Sequence, residues 1–193
     1  MSVGLLIGTI GTACYFTFKE KPKTVDQHIT RTIAKEITYD WQGAAKQGFV
    51  PLDVPMDKSL QEFIWILSFA YNVDFPLVIA VIDQESSFNV NAIGNGEDFG
   101  LMQINKINHQ WLNETLGVTE FLNPYQNVRA GIFILGKLSQ KYGEPSKALM
   151  AYNLGETGAK TLWNKGIFET NYTKAVLTKA AEYGKQVKNN DKN

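Results

Sequence analysis

The chain has one cysteine, Cys14, among 193 residues. No intrachain disulfide and no thiolate-based zinc site can form from it. Histidine is nearly as scarce. His28 and His109 are the only two, far apart and without an HExxH-like context, which argues against a histidine-built metal site. Neither sign of charge is in excess: Lys plus Arg and Asp plus Glu each number 19, for a formal net charge of zero. The chain-wide basic footprint of a nucleic-acid binder is therefore missing. The residues that are present, 44% hydrophobic, 20% charged and 12% aromatic, describe a folded chain rather than a disordered one. The length suits one domain with a sizeable core plus a further segment, and is too short for two large domains.

Charge is absent altogether from Val3 to Phe18, VGLLIGTIGTACYFTF. This run is slightly shorter than the roughly 20 apolar residues of a membrane span. Snorkelling of Lys19 and Lys21, or local bilayer thinning, closes the gap. The alternative is a secretory signal, although only Met1 and Ser2 stand where a positive n-region is usual. Gly4, Gly8 and Gly11 are poor helix formers in water and argue against a buried core helix. Gly11-Thr12-Ala13-Cys14 also resembles a lipoprotein processing site, with Gly11 where a large aliphatic residue is usual. Residues 1–18 are thus expected to be a membrane anchor or signal segment, and the protein to be membrane-anchored or secreted.

Residues 19–56 read as a juxtamembrane helix and linker. Ile29, Ile33, Ile37 and Trp41 form a stripe, and Gly43, Gly48, Pro51 and Pro55 interrupt the chain after it. From 57 to 183 the pattern is that of a mainly α-helical domain. Leu60, Phe63, Ile64, Leu67, Ala70 and Tyr71 follow helical spacing, with Asp57 as a cap. A second helix is expected from about Pro76 to Glu85, apolar on all sides from Leu77 to Ile82 and so buried at the centre. Pro124 opens a third, with Val128, Ile132, Leu135 and Leu138 on one face. Pro145 opens a fourth that ends near Tyr152, and further helices are expected over about 155–164 and 171–183. The Asn- and Gly-rich stretch 88–100 reads as loop or short hairpin. Residues 184–193, rich in Lys and Asn, read as a flexible tail.

One acid stands out. Glu85 falls at the C-terminal end of the all-apolar helix. Burial penalises its carboxylate form, and the negative end of the helix dipole acts in the same direction. Both favour a protonated carboxyl near neutral pH, the state needed to protonate a glycosidic oxygen. Read locally, Glu85 serves equally well as a helix-terminal surface residue. Asp83, two positions earlier, points to another helix face and is a poor second catalytic group.

The wider context adds weight. Glu85-Ser86-Ser87-Phe88, Gly100-Leu101-Met102-Gln103 and Ala151-Tyr152-Asn153-Leu154-Gly155 occur in that order, with Asn127-Val128-Arg129-Ala130-Gly131 between the last two. Together they resemble the soluble lytic transglycosylase family, which shares a lysozyme-like fold with goose-type lysozymes. The resemblance covers about residues 57–183. It implies Glu85 as catalytic acid and base, Ser86 as a group that positions the sugar, and Gln103 as a groove residue that bonds substrate; a loop-packing amide is the other reading of Gln103. Met102 lines the sugar site or fills core. Tyr152 and Asn153 complete the set, with the Tyr152 hydroxyl orienting either the acid or an acetamido group; a buried structural tyrosine is its other reading.

The substrate implied is the peptidoglycan glycan strand, cut at the MurNAc–GlcNAc β-1,4 bond. One acid suffices if the acetamido group and the 6-hydroxyl of the sugar act in place of a second carboxylate, giving a 1,6-anhydro product without metal or organic cofactor. A hydrolytic muramidase on the same fold, with Asp98 or Glu97 as base, is the alternative, and a non-catalytic glycan-binding component of an envelope assembly is a third. The implied partners are the glycan strand, the membrane through residues 1–18, and an envelope-spanning secretion, conjugation or phage machine. The catalytic domain is expected outside the cytoplasm. Lys19, Lys21 and Lys23, read alone, would instead hold their flank on the cytoplasmic side.

Overall fold

A computed structural model describes residues 4–6, 15–17 and 49–190. In the leader, β1 (Gly4–Leu6) and β2 (Tyr15–Thr17) pair antiparallel, Gly4 opposite Thr17. The apolar run as a whole, the Ile29–Trp41 stripe and Cys14 lie outside the described residues. Among those described, no helix is long and apolar enough to cross a membrane.

The domain is built from six helices and one small sheet. Helix α1 (Lys58–Ala70) leads into α2 (Phe75–Ser86). Strands β3 (Ile93–Gly94), β4 (Asp98–Phe99) and β5 (Ile104–Asn105) form an antiparallel sheet in that order, with Ile93 opposite Phe99 and Phe99 opposite Ile104. A 3-10 turn over Lys106–Asn108 precedes α3 (His109–Leu116). Then follow α4 (Pro124–Tyr142), α5 (Pro145–Trp163) and α6 (Asn171–Asn190).

Helix α2 lies at the centre, with Leu77 through Ile82 all buried. A helix apolar on every side is stable only when neighbours cover all of it, and α1 and α6 pack against it while α4 packs on α1 and α5. Pro76, Pro124 and Pro145 each sit in a first turn, where the missing N–H costs nothing. Asp57 occupies the N-cap of α1 but makes no capping bond. Asn123 does cap α4, accepting from the N–H groups of Tyr125 and Gln126.

Three stretches differ from the sequence expectations. Residues 49–56, read as the end of a linker, are laid on the domain. Leu52 is buried, and the Gln61 side chain accepts its N–H at 2.8 Å while donating to the Leu52 and Met56 carbonyls. Phe49 packs on Trp65 and Phe75. The 184–193 stretch, read as a tail, continues α6 to Asn190, and the Gln186 side chain accepts the Asp53 N–H at 3.1 Å. Helix α3 falls where the sequence carries no expectation; its first residue, His109, stacks on Phe121 with ring centroids 3.4 Å apart.

Helix α5 is two helical pieces joined at Gly155, where φ is 70° and ψ 159°, a combination essentially confined to glycine. The break matches the separate helices expected up to Tyr152 and from 155. Just beyond it Glu156 is buried, its Oε2 taking the Lys141 ammonium and, at 2.5 Å, the Tyr142 hydroxyl. These contacts tie the second piece of α5 to the end of α4.

Candidate active site

Glu85 stands in the last turn of α2. Two residues on, the chain leaves the helix through consecutive left-handed conformations, Ser87 at φ 49° and Phe88 at φ 65°. Such backbone is sparsely populated for residues other than glycine and holds only where the surroundings impose it. It turns the chain off the helix end and leads it into the small sheet.

Three groups surround the Glu85 carboxyl. The Tyr172 hydroxyl, from the first turn of α6, donates to Oε1 at 2.7 Å. The Asp98 carboxylate on β4 and the Tyr152 ring on α5 interact with it electrostatically. Glu85 is half-buried, and its carboxyl lies on the enclosed side. Burial pushes its pKa up to about 8; the Tyr172 hydrogen bond opposes this, and the negative charge of Asp98 adds to it.

Asp98 is itself buried, 3% exposed, and its Oδ1 accepts from Asn105 Nδ2 at 2.9 Å. Glu97 is different: it pairs with Lys106 at the surface. Asp83 points away from Glu85 and bonds Tyr183 and Lys179 on α6.

Most of the other predicted residues are engaged elsewhere. The Tyr152 hydroxyl donates to the Met102 carbonyl at 2.9 Å, so it does not hold the acid. Tyr172 does that. Burial, Glu85 and Asp98 keep the Tyr152 hydroxyl well above its ordinary pKa, so it stays a donor. Met102 is core: its N–H donates to Asn127 Oδ1 at 2.8 Å, and its sulfur lies where a Cβ on Gly131 would stand. Gln103 adopts φ 46°, and its amide donates to the Gly100 and Ala92 carbonyls at 2.8 and 3.3 Å, bracing the loop. Ser86 donates back to the Ile82 carbonyl at 3.0 Å. Asn153 is 5% exposed, and its buried Nδ2 has no partner in the structure. A buried amide donor left unsatisfied is costly, and a bound acceptor would relieve it.

Sequence reasoning missed Tyr172. An aromatic at the start of a helix reads as core, and its partner is 87 positions away. Asn127 was seen only within a motif. It ties the Phe99–Met102 stretch to the Phe121 segment, donating to the Phe99 and Phe121 carbonyls at 2.7 and 2.8 Å and accepting the Met102 N–H.

Comparison with known proteins gives the family of the chain. The family model described as Transglycosylase SLT domain matches residues 64–174. The chain belongs to this family, the lytic transglycosylases of lysozyme-like fold. It is 36% identical over 104 residues to a transglycosylase of Enterobacteria phage PRD1, covering 52% of this chain and 38% of that protein. It is 34% identical over 97 residues to protein IpgF of Shigella flexneri, covering 47% and 63%. To the invasion protein IagB of Salmonella typhimurium it is 31% identical over 128 residues, covering 61% and 79%. Among solved structures, an inactive mutant of the lytic transglycosylase Slt of Pseudomonas aeruginosa superposes with a TM-score of 0.60. The identity is 20%, and the match covers 82% of this chain and 30% of that one. The fold is therefore shared, while the chain spans well under half of the phage protein and of Slt.

Proposed function

We propose that the protein is a peptidoglycan lytic transglycosylase in which Glu85 is the single acid and base. The observation that carries this is a carboxyl enclosed at the end of an apolar helix, its pKa raised to about 8, so that it rests protonated at neutral pH. Oε1 accepts from Tyr172, which leaves the transferable proton on Oε2.

The reaction begins as that proton passes to the glycosidic oxygen between MurNAc and GlcNAc. The C1–O bond breaks, and the acetamido oxygen of the muramoyl sugar stabilises the positive centre. Glu85 is now a carboxylate, steadied by the Tyr172 hydroxyl. It takes the proton of the sugar's own 6-hydroxyl as that oxygen attacks C1. The product is a 1,6-anhydro end, and Glu85 returns to its protonated state.

A hydrolytic outcome is favoured by a different observation, the second buried carboxylate, Asp98, beside Glu85. Two carboxylates flanking a glycosidic bond can admit water as nucleophile. Digestion of purified peptidoglycan with mass spectrometry of the fragments decides between them: anhydro ends support the first reading, reducing ends the second, and no cleavage defeats both.

The substrate lies outside the cytoplasmic membrane, so residues 1–18 are assigned as the anchor or export signal and the domain as extracytoplasmic. Relatives that include an invasion protein and a phage transglycosylase fit an enzyme that opens the wall for an envelope-spanning secretion, conjugation or phage machine.

A further inference from the structure

Asp83 and Glu85 stand two positions apart on α2 and project from different sides of it, yet both carboxylates bond to the same neighbouring helix. Glu85 Oε1 takes the Tyr172 hydroxyl at 2.7 Å. Asp83 Oδ2 takes the Tyr183 hydroxyl at 2.9 Å and the Lys179 ammonium at 3.0 Å. Tyr172 and Tyr183 are separated along α6 by about 16 Å at the usual helical rise. A helix fastened at one point can slide and roll; two fastenings that far apart fix its register. Between them Thr173 and Val176 are buried, and α6 packs on α2. The Asp83 side chain is 20% exposed and that of Lys179 is 32% exposed, so the second fastening is shielded from solvent and is not a loose surface pair.

We infer that Asp83 is a positioning residue: by holding Tyr183 and Lys179 it sets the register of α6 and so keeps the Tyr172 hydroxyl on the Glu85 carboxyl. Its effect on rate rests on the reading of Glu85 as the acid, whereas the positioning itself does not. The groups that face Glu85 are Tyr172 from α6, Tyr152 from α5 and Asp98 from β4. Asp83 is faced by Lys179 and Tyr183 from α6, with Glu182 beside Tyr183. A merely stabilising ion pair would leave the titration of Glu85 where it is. A positioning pair would move it, because the Tyr172 bond favours the carboxylate form.

The test is a carbon-13 NMR titration of the Glu85 carboxyl in the full chain, which needs no substrate. Tyr172→Phe removes the donor and should raise the midpoint by about 0.5–1 pH unit. Asp83→Asn and Tyr183→Phe should raise it in the same direction, and Tyr183→Phe should add nothing in the Tyr172→Phe background. In parallel, kcat for glycan cleavage by Tyr183→Phe should fall about fivefold, the scale of one hydrogen bond, with KM unchanged. Tyr183→Phe deletes only a hydroxyl and carries the test if Asp83→Asn does not fold. The inference is overturned if the midpoint stays put in the Asp83 and Tyr183 variants, if their effect adds in full to that of Tyr172→Phe, or if Tyr172→Phe leaves the midpoint unmoved. A Glu85→Gln chain that still cleaves glycan, with the titrations behaving as described, would remove the catalytic reading and leave the positioning intact.

Discussion

Replacing the Glu85 carboxyl with an amide keeps its shape and deletes its proton. Glu85→Gln should lower glycan cleavage by roughly 10²–10⁴-fold, the usual worth of a general acid, with an unchanged circular dichroism spectrum; turnover close to wild type would exclude Glu85 as the acid. The same variant has a second signature. Glu85 has a folded-state pKa of about 8 against an ordinary value of 4.5. A group raised in this way contributes stability in full below its unfolded pKa, and that contribution is lost as pH rises through the folded value. Wild-type stability should therefore decline between about pH 4.5 and 8 by as much as a few kcal/mol, and Glu85→Gln should lack this slope. Urea unfolding at pH 5 and pH 8.5 measures both. Glu85 stood out in the sequence through its motif context, because an acid ending an apolar helix serves equally well as a surface residue when read locally. Of its partners Asp98 was named only as an alternative base, and Tyr172 not at all. Tyr172 and Asp98 meet it only through tertiary packing, and nothing local distinguishes Tyr152, whose hydroxyl goes to a carbonyl, from Tyr172, whose hydroxyl goes to the acid.

At the scale of elements, two devices hold the site in place. Gly155 lets α5 break directly after Tyr152 and Asn153, in a backbone region that side chains avoid. Gly155→Ala should cost about 1–3 kcal/mol, read as a lower melting temperature, and an unchanged melt would show that the break is easily accommodated. Asn127 is the other device. Asn127→Ala removes the bonds that tie Phe99 and Met102 to α4 and to Phe121 and leaves buried partners unsatisfied, for about 2–4 kcal/mol; proteolysis within 92–103 should accelerate with it. The sequence announced the helices because prolines and apolar spacing mark their starts and faces. It was silent on α3, HQWLNETL, whose buried residues are only Leu112 and Leu116, too few for a periodic signal. The last turns of α6 were also hidden, since Lys and Asn there read as solvated tail until Gln186 finds Asp53.

For the molecule as a whole, the leader and the domain should separate cleanly, but at a point the composition does not mark. Deleting residues 1–18 should leave fold and activity on soluble glycan intact while abolishing membrane association, as measured by fractionation; a truncated chain that cannot fold would contradict this. A chain beginning at 57 should fare worse than one beginning at 24. It loses buried Leu52 and strands the Gln61 amide, a cost of roughly 3 kcal/mol, visible as an earlier urea midpoint. Prolines and glycines made 43–56 look like a spacer, and the Gln61 side chain, with the packing of Phe49 and Leu52, explains why its last part is not.

The bond between Asp53 and Gln186 brings the point where the chain enters the domain beside the far end of its last helix. Tyr172 is near the other end of that helix, about 21 Å away along its axis. Tension pulled through the leader is therefore borne first by the 49–56 seam and the terminal turns of α6. The seam would peel before the load reached the acid, so a pull on the chain ahead of the domain would spare the chemistry.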